Sequence, residues 1–274
     1  MQLKYKLIVS DFDGTLRRTE GGISEGNAEA IRRYVEAGGI FALCTGRMAS
    51  SILPYARQLK LEGPVVSYQG AIVQDAESGA ILRDLRLPWQ DAADLCKFLE
   101  KFDYHIHVCE GDTFYVNKDD EALAAYERIC AVHGTVAKEP LSALVEERHI
   151  SPHKVLVMCE PEERDRALAR LREKFGDRFY ITTSTENLVE VVAVGSDKGG
   201  ALRFLAEFYG IPLSDTIALG DNYNDLPMIL AAGLGVAVEN GEEELKRQAD
   251  YVTRTCDEDG VGYVIRKFGL GEEV

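Results

Sequence analysis

The apolar run Leu7-Ile8-Val9 breaks into Asp11-Phe12-Asp13-Gly14-Thr15, and near the other end of the chain Ile217-Ala218-Leu219 breaks into Gly220-Asp221-Asn222-Tyr223-Asn224-Asp225. A short apolar run that ends in Asp and Gly reads as a buried strand turning into a loop. In an open α/β sheet, ligands collect outside the carboxyl ends of parallel strands, so both acidic clusters are expected to face one crevice. The fold must therefore bring two remote segments to the same place. Hard carboxylate oxygens, with no Cys or His nearby at ligand spacing, suit Mg²⁺ better than Zn²⁺ or a soft transition metal. Such a site points to phosphoryl chemistry.

Strand and helix signals alternate between these ends. Residues 6–10 read as a strand, and Ser24 is placed to cap a helix with Ala28, Ile31 and Val35 on one face, stopped by Gly38-Gly39. Residues 40–44 read as a second buried strand that ends in a third polar cluster, Thr45-Gly46-Arg47. A helix over about 49–59 and a strand at Val65-Val66 complete a βαβαβ unit, which requires parallel strands. The middle of the chain differs. Helices are predicted over 89–102, 121–132 and from Pro161 to Phe175, with hairpins at 106–116 and 180–192 and a strand at 154–158, a mixture that predicts an antiparallel α+β unit. After Val194 the parallel pattern resumes with helix 199–209, strand 216–219, helix 225–232 and strand 235–238. The expectation is an α/β core of residues 1–83 and 189–274 and an inserted cap of residues 84–188, with crossings near 84–88 and 185–188 that can hinge.

Whole-chain numbers narrow the partners. A formal charge of −15 over 274 residues argues against a nucleic-acid or anionic-membrane surface, since those need clustered Lys and Arg. A phosphorylated substrate then requires a site made positive locally, by a metal and a few basic residues. The cysteines at 44, 96, 109, 130, 159 and 256 are scattered, with no CxxC pair and no His at zinc spacing, and are expected to be buried, reduced thiols. No signal-peptide core and no bilayer-length apolar stretch is visible, so a cytoplasmic enzyme, monomeric or a small homo-oligomer, is expected.

Asp11-Phe12-Asp13-Gly14-Thr15, Thr45-Gly46-Arg47, the Lys of Gly195-Ser196-Asp197-Lys198-Gly199-Gly200, and Gly220-Asp221-Asn222-Tyr223-Asn224-Asp225, in that order and spacing, resemble the four motifs of the haloacid dehalogenase superfamily. More narrowly, the chain is similar to Cof-like phosphatases, which carry a large α/β cap of type IIB between the second and third motifs. The resemblance runs the full length and implies a Rossmann-like core. One departure is Gln69 in Tyr68-Gln69-Gly70-Ala71, where such proteins often have Asn before Gly-Ala.

The chemistry accounts for these residue types. A carboxylate that attacks a phosphate dianion meets charge repulsion, which a bridging Mg²⁺ relieves, and covalent catalysis splits hydrolysis into two easier steps. Asp11 is the expected nucleophile, and Asp13 the acid that protonates the leaving oxygen and then the base that activates water. The resemblance implies the same roles. Thr45 is expected to bond the transferring phosphoryl group, and Lys198 to offset charge on Asp11 and on phosphate. Gly46, Arg47 and Asn224 complete the expected substrate contacts. Mg²⁺ is expected to take oxygens from Asp11, the Asp13 backbone carbonyl and Asp221, with Asn224 and Asp225 bound directly or through water. His105-Ile106-His107 alternates like a metal site but lacks a third ligand. It is read as hairpin surface or substrate-facing polarity, with Tyr115 and Tyr180 as further candidates to touch the leaving group. The chain thus reads as a Mg²⁺-dependent phosphatase of small phosphorylated metabolites such as sugar phosphates. A phosphomutase with the same nucleophile, or a non-catalytic sensor that retains the fold, remains open at this point.

Overall fold

Two sheets organise residues 3–273, the part of the chain described by the computed structural model. The strands in chain order are β1 (Leu7–Ser10), β2 (Ile40–Cys44), β3 (Pro64–Ser67), β4 (Ile72–Asp75), β5 (Ile81–Asp84), β6 (His105–Glu110), β7 (Thr113–Val116), β8 (Thr135–Val136), β9 (Lys154–Met158), β10 (Phe179–Thr185), β11 (Leu188–Ala193), β12 (Thr216–Gly220), β13 (Leu234–Val238) and β14 (Tyr251–Thr253). Eight form one sheet in the order β14-β13-β12-β1-β2-β3-β4-β5, and six form the other in the order β10-β11-β9-β6-β7-β8. The architecture is the expected α/β core with an α+β cap.

From β14 to β3 the core strands run parallel, and β4 and β5 add an antiparallel edge that was absent from the predicted pattern. A parallel sheet is covered on both faces, which is why its strands are continuous apolar runs. Ile8, Phe41 and Leu43 pack with Ile31, Tyr34, Ile52 and Val261 on one face, while Leu7, Val9, Ala42 and Cys44 pack with Ala201, Leu202, Leu205 and Met228 on the other. Ser24 caps helix Glu25–Glu36 as expected, its side chain accepting from the Asn27 backbone N–H.

Register positions the site. Ser10 lies level with Leu43 of β2 and with Leu219 of β12, so the residues after these three adjacent strands emerge along one edge. Asp11, Thr45 and Asp221 are those residues.

The cap sheet is antiparallel except where β7 meets β8. Alternate residues such as Ile106, Val108, Val155, Val157 and Val191 face helices Trp89–Leu99, Leu141–Arg148 and Pro161–Phe175, of which the second was not predicted. The opposite face holds Cys109, Phe114, Val116, Leu156 and Met158, packed with Leu123 and Tyr126 of helix Glu121–Cys130 and with Met48 and Tyr68 of the core.

Three expectations change. β11 pairs with both β10 and β9 inside the cap sheet, so the chain returns to the core after Ala193 and not at residue 189. The predicted crossing at 185–188 is the turn of that hairpin. The real second crossing lies next to the first, where Arg83 Nη2 donates to the Gly195 carbonyl at 2.6 Å. His105 and His107 are not surface residues: they point to the face that helix Glu121–Cys130 covers and are 4% and 0% exposed. His107 stacks on Phe114, ring centroids 5.0 Å apart, and burial holds its imidazole well below the usual range, hence neutral.

All six cysteines are free, and all but Cys159 are buried. Among the described residues, no helix is long and apolar enough to cross a membrane.

Candidate active site

Asp11 leaves β1 with its backbone N–H still bonded to the Leu219 carbonyl at 2.9 Å, which carries the strand geometry one residue past the sheet. Gly14 follows at φ +81°, where a Cβ would sit 2.6 Å from Asp221 Oδ2. Only glycine allows this close approach of the first loop to the fourth motif. Thr15 Oγ1 then donates to Asp221 Oδ1 at 2.9 Å.

Asp221 and Asp225 belong to the turn after β12. Asp225 Oδ2 accepts from the backbone N–H groups of Asp221 and Asn222 at 2.9 and 3.0 Å, so this side chain shapes the turn as well as adding charge. Its other oxygen and Asp11 Oδ1 both accept from the Lys198 ammonium, at the start of helix Lys198–Phe208. Lys198 is 0% exposed. It and Asp225 therefore act from beneath the crevice, and neither lines it.

Oxygens of Asp11, Asp221 and Asp225 all lie within 4.8 Å of one another. Three carboxylates and one ammonium carry a formal −2, which a divalent cation would neutralise. Burial raises the Asp11 carboxyl well above its ordinary value, Lys198 opposes this, and Asp225 and Asp221 add to it. Asp221 is pushed up to about 7, by burial first and then by Asp225. Burial alone would lower the range of the Lys198 ammonium, but Asp11 and Asp225 outweigh it and hold it well above its usual range. Without a cation, the cluster holds protons that carboxylates normally release. An all-oxygen donor set fits a hard cation such as Mg²⁺.

Thr45 is 2% exposed, and its Oγ1 accepts from the Arg47 backbone N–H at 3.2 Å. Asp13 stands apart from the cluster on the crevice wall, held through both oxygens by Arg47 Nε and Nη2 at 2.6 Å each. Arg47 Nη1 reaches across to the cap and donates to the Ile129 carbonyl at 3.1 Å. Asn224 is buried, its Nδ2 donating to Gln69 Oε1 at 3.0 Å.

The crevice between core and cap has a volume of about 870 Å³. Among the described residues, its cap side is formed by Tyr126, Arg128, Ile129, Lys154, Ser184 and Glu190, while His105, His107, Tyr115 and Tyr180 lie outside it. Lys154 and Glu190 pair at 3.0 Å with both side chains 3% exposed, and Lys154 Nζ donates to the Gly46 carbonyl at 2.8 Å. A Cβ on Gly46 would meet Gln69 Nε2 at 2.5 Å. The sequence did hold a signal for this pair. Glu190 interrupts an apolar strand, and a charge in such a place needs a buried partner.

The sequence pattern of the haloacid dehalogenase-like hydrolases matches residues 8–265. The chain belongs to this family. It is 29% identical to the 5-amino-6-(5-phospho-D-ribitylamino)uracil phosphatase YwtE of Bacillus subtilis, covering 97% of this chain and 99% of that one. Its structure is similar to that of a haloacid dehalogenase-like hydrolase from Bacteroides thetaiotaomicron, with a TM-score of 0.83, 29% identity and coverage of 96% and 99% of the two chains. It is also similar in fold to the subclass IIB sugar phosphatase BT4131, with a TM-score of 0.83, 23% identity and coverage of 97% and 99%. As a haloacid dehalogenase-like hydrolase, the protein is a phosphomonoester hydrolase that acts on phosphorylated substrates.

Proposed function

We propose that the protein is a Mg²⁺-dependent phosphatase of small phosphorylated metabolites, sugar phosphates or similar, that works through an aspartyl-phosphate on Asp11. The observation that carries this reading is the Lys198 ammonium bound to Asp11 Oδ1 beneath a crevice that Asp11, Asp221 and Thr45 all line. Mg²⁺ would be held by Asp11, the Asp13 backbone carbonyl and Asp221, with Asn224 and Asp225 bound directly or through water. When bound, it would offset the repulsion between the Asp11 carboxylate and the phosphate dianion.

Asp11 attacks phosphorus, and the bond from phosphorus to the leaving oxygen breaks as Asp13 gives that oxygen a proton. Water then attacks the phosphoryl group, Asp13 takes its proton, and the bond to Asp11 breaks to release inorganic phosphate. Thr45 and Lys198 stabilise the charge that builds up in both steps. Arg47 must let go of the Asp13 carboxylate for it to act, and an incoming phosphate dianion is a competing partner for the guanidinium. Ser184, Thr185 and Arg128 on the cap side carry polar groups that suit the hydroxyl groups of a leaving group. The substrate in the name of the Bacillus subtilis relative, with its phosphate on a ribityl chain, is of that kind.

Inorganic phosphate release from a panel of sugar phosphates, nucleotides, pyridoxal phosphate and an aryl phosphate, with Mg²⁺ or EDTA and beside Asp11→Asn, tests the proposal. Release that needs Mg²⁺ and vanishes in Asp11→Asn is expected. Turnover that survives Asp11→Asn, or phosphoryl groups that move between hydroxyls with no inorganic phosphate formed, would overturn it.

A further inference from the structure

Tyr68, Gln69 and Gly70 all have positive φ, at 51°, 61° and 116°. Consecutive non-glycine residues in the left-handed region are strained, and such strain persists only where the surroundings hold it. The Tyr68 N–H donates to the Arg47 carbonyl at 2.9 Å and the Gln69 N–H to the Thr45 carbonyl at 3.0 Å, so this turn is clamped to the second motif. It turns the Gln69 side chain inward, where the residue is 1% exposed.

Both ends of the Gln69 amide are engaged. Nε2 donates to Glu190 Oε1 at 2.9 Å, and Oε1 accepts from Asn224 Nδ2 at 3.0 Å. The cap dictates this orientation. Glu190, salt-bridged to Lys154, accepts and so takes the NH₂ of Gln69. Gln69 is left to present its oxygen to Asn224, which answers with its own NH₂. Asn224 Oδ1 is thereby left as a buried acceptor with no hydrogen-bond partner among the described residues, in the same turn as Asp221 and Asp225.

We propose that Gln69 is a positioning residue through which the seated cap sets the polarity of the metal site. Glu190 of β11, acting through Gln69, holds Asn224 with its carbonyl oxygen and not its NH₂ free for the cation and its water shell, so a cation binds more tightly when the cap is seated. The inference rests on the metal-dependent reading above. An asparagine at position 69 is one methylene shorter and is expected to lose one of the two partners that Gln69 bridges. The glutamine that departs from the usual family residue thus adds a contact to the cap.

The test is Mn²⁺ binding to the full chain, followed by loss of the free-ion electron paramagnetic resonance signal, for wild type, Gln69→Asn, Glu190→Gln, their double variant, and Asp221→Asn as the site control. Each of the first two single variants is expected to weaken binding about tenfold. The double variant is expected to bind no more weakly than either, because both changes break one chain of bonds. Gln69→Asn leaves the Lys154–Glu190 pair intact, so it decides the matter even if Glu190→Gln fails to fold. Unchanged affinity in Gln69→Asn, or losses that add in the double variant, overturns the coupling. A wild type that binds Mn²⁺, loses it in Asp221→Asn and is indifferent to Gln69→Asn overturns the coupling alone, whereas a wild type that binds no Mn²⁺ overturns the metal-dependent reading with it.

Discussion

Lys198, itself fully buried, donates from its ammonium to Asp11 Oδ1 on the crevice wall, across 187 positions of chain. The same ammonium bonds Asp225, so one cation holds two carboxylates together at the point where β1 and β12 end. Asp11, the proposed nucleophile, is kept in place by a residue that never meets bulk water.

Replacing Lys198 with Met should therefore remove charge compensation in the transition state while leaving the crevice wall unchanged. A fixed charge donor in a water-excluded site contributes about 10²–10³-fold to kcat, and a loss of that order is expected at saturating Mg²⁺. Steady-state kinetics on the best substrate would decide. A Lys198→Met enzyme within about tenfold of wild type would mean that the cation, not the lysine, supplies the compensation.

In the proposed mechanism Asp13 serves two steps that the leaving group can separate. An aryl phosphate leaves without a proton, so Asp13→Asn should still form the aspartyl-phosphate but fail to activate water. Rapid-quench measurement should show a burst of aryl alcohol near one equivalent of enzyme, followed by a stall. Linear turnover with no burst would assign the base to another group.

Much of this site was legible in the sequence because three of its four motifs directly follow an apolar run, and a run that ends in Asp or Thr fixes where its side chains emerge. Asp11, Thr45 and Asp221 needed only strand order and register to meet. The cap was harder. His105 and His107 alternate along β6 as a surface pair would, yet the face they share is covered by helix Glu121–Cys130, and nothing local to the strand encodes that cover. The boundary at residue 189 failed for a related reason. The hairpin read over 180–192 carries no local mark of where the chain leaves it, and its second strand, paired with β9 and β10, keeps the chain in the cap to Ala193. Gln69 looked like a departure from a pattern because its partner Glu190 lies 121 positions away.

The Lys154–Glu190 pair is buried on both sides, at 3% side-chain exposure, and breaking it leaves an uncompensated charge between core and cap. Lys154→Met should destabilise the protein by about 3–5 kcal/mol, whereas Lys154→Met with Glu190→Leu should recover most of that loss. Urea unfolding of the two variants would show it. Equal destabilisation by both would place the energy in the Lys154 bond to the Gly46 carbonyl and not in the ion pair.

The acidic cluster also predicts how stability follows pH when no cation is bound. The Asp221 carboxyl is raised from 3.8 to about 7 by burial and then by Asp225, so the native state keeps a proton that the unfolded chain has already released. Between those two values the unfolded state binds fewer protons, and stability falls as pH rises, by an amount on the order of a few kcal/mol. Below the lower value both states are protonated, and above the upper one neither is, so the slope vanishes outside the window. In the proposed metal-dependent enzyme a divalent cation would take the place of that proton. Mg²⁺ should therefore raise the unfolding midpoint more at about pH 8 than at about pH 5, and Asp221→Asn should remove most of the difference. Urea midpoints in EDTA and in Mg²⁺ at the two pH values measure this directly. Equal stabilisation at both would mean that proton and cation do not compete for the cluster.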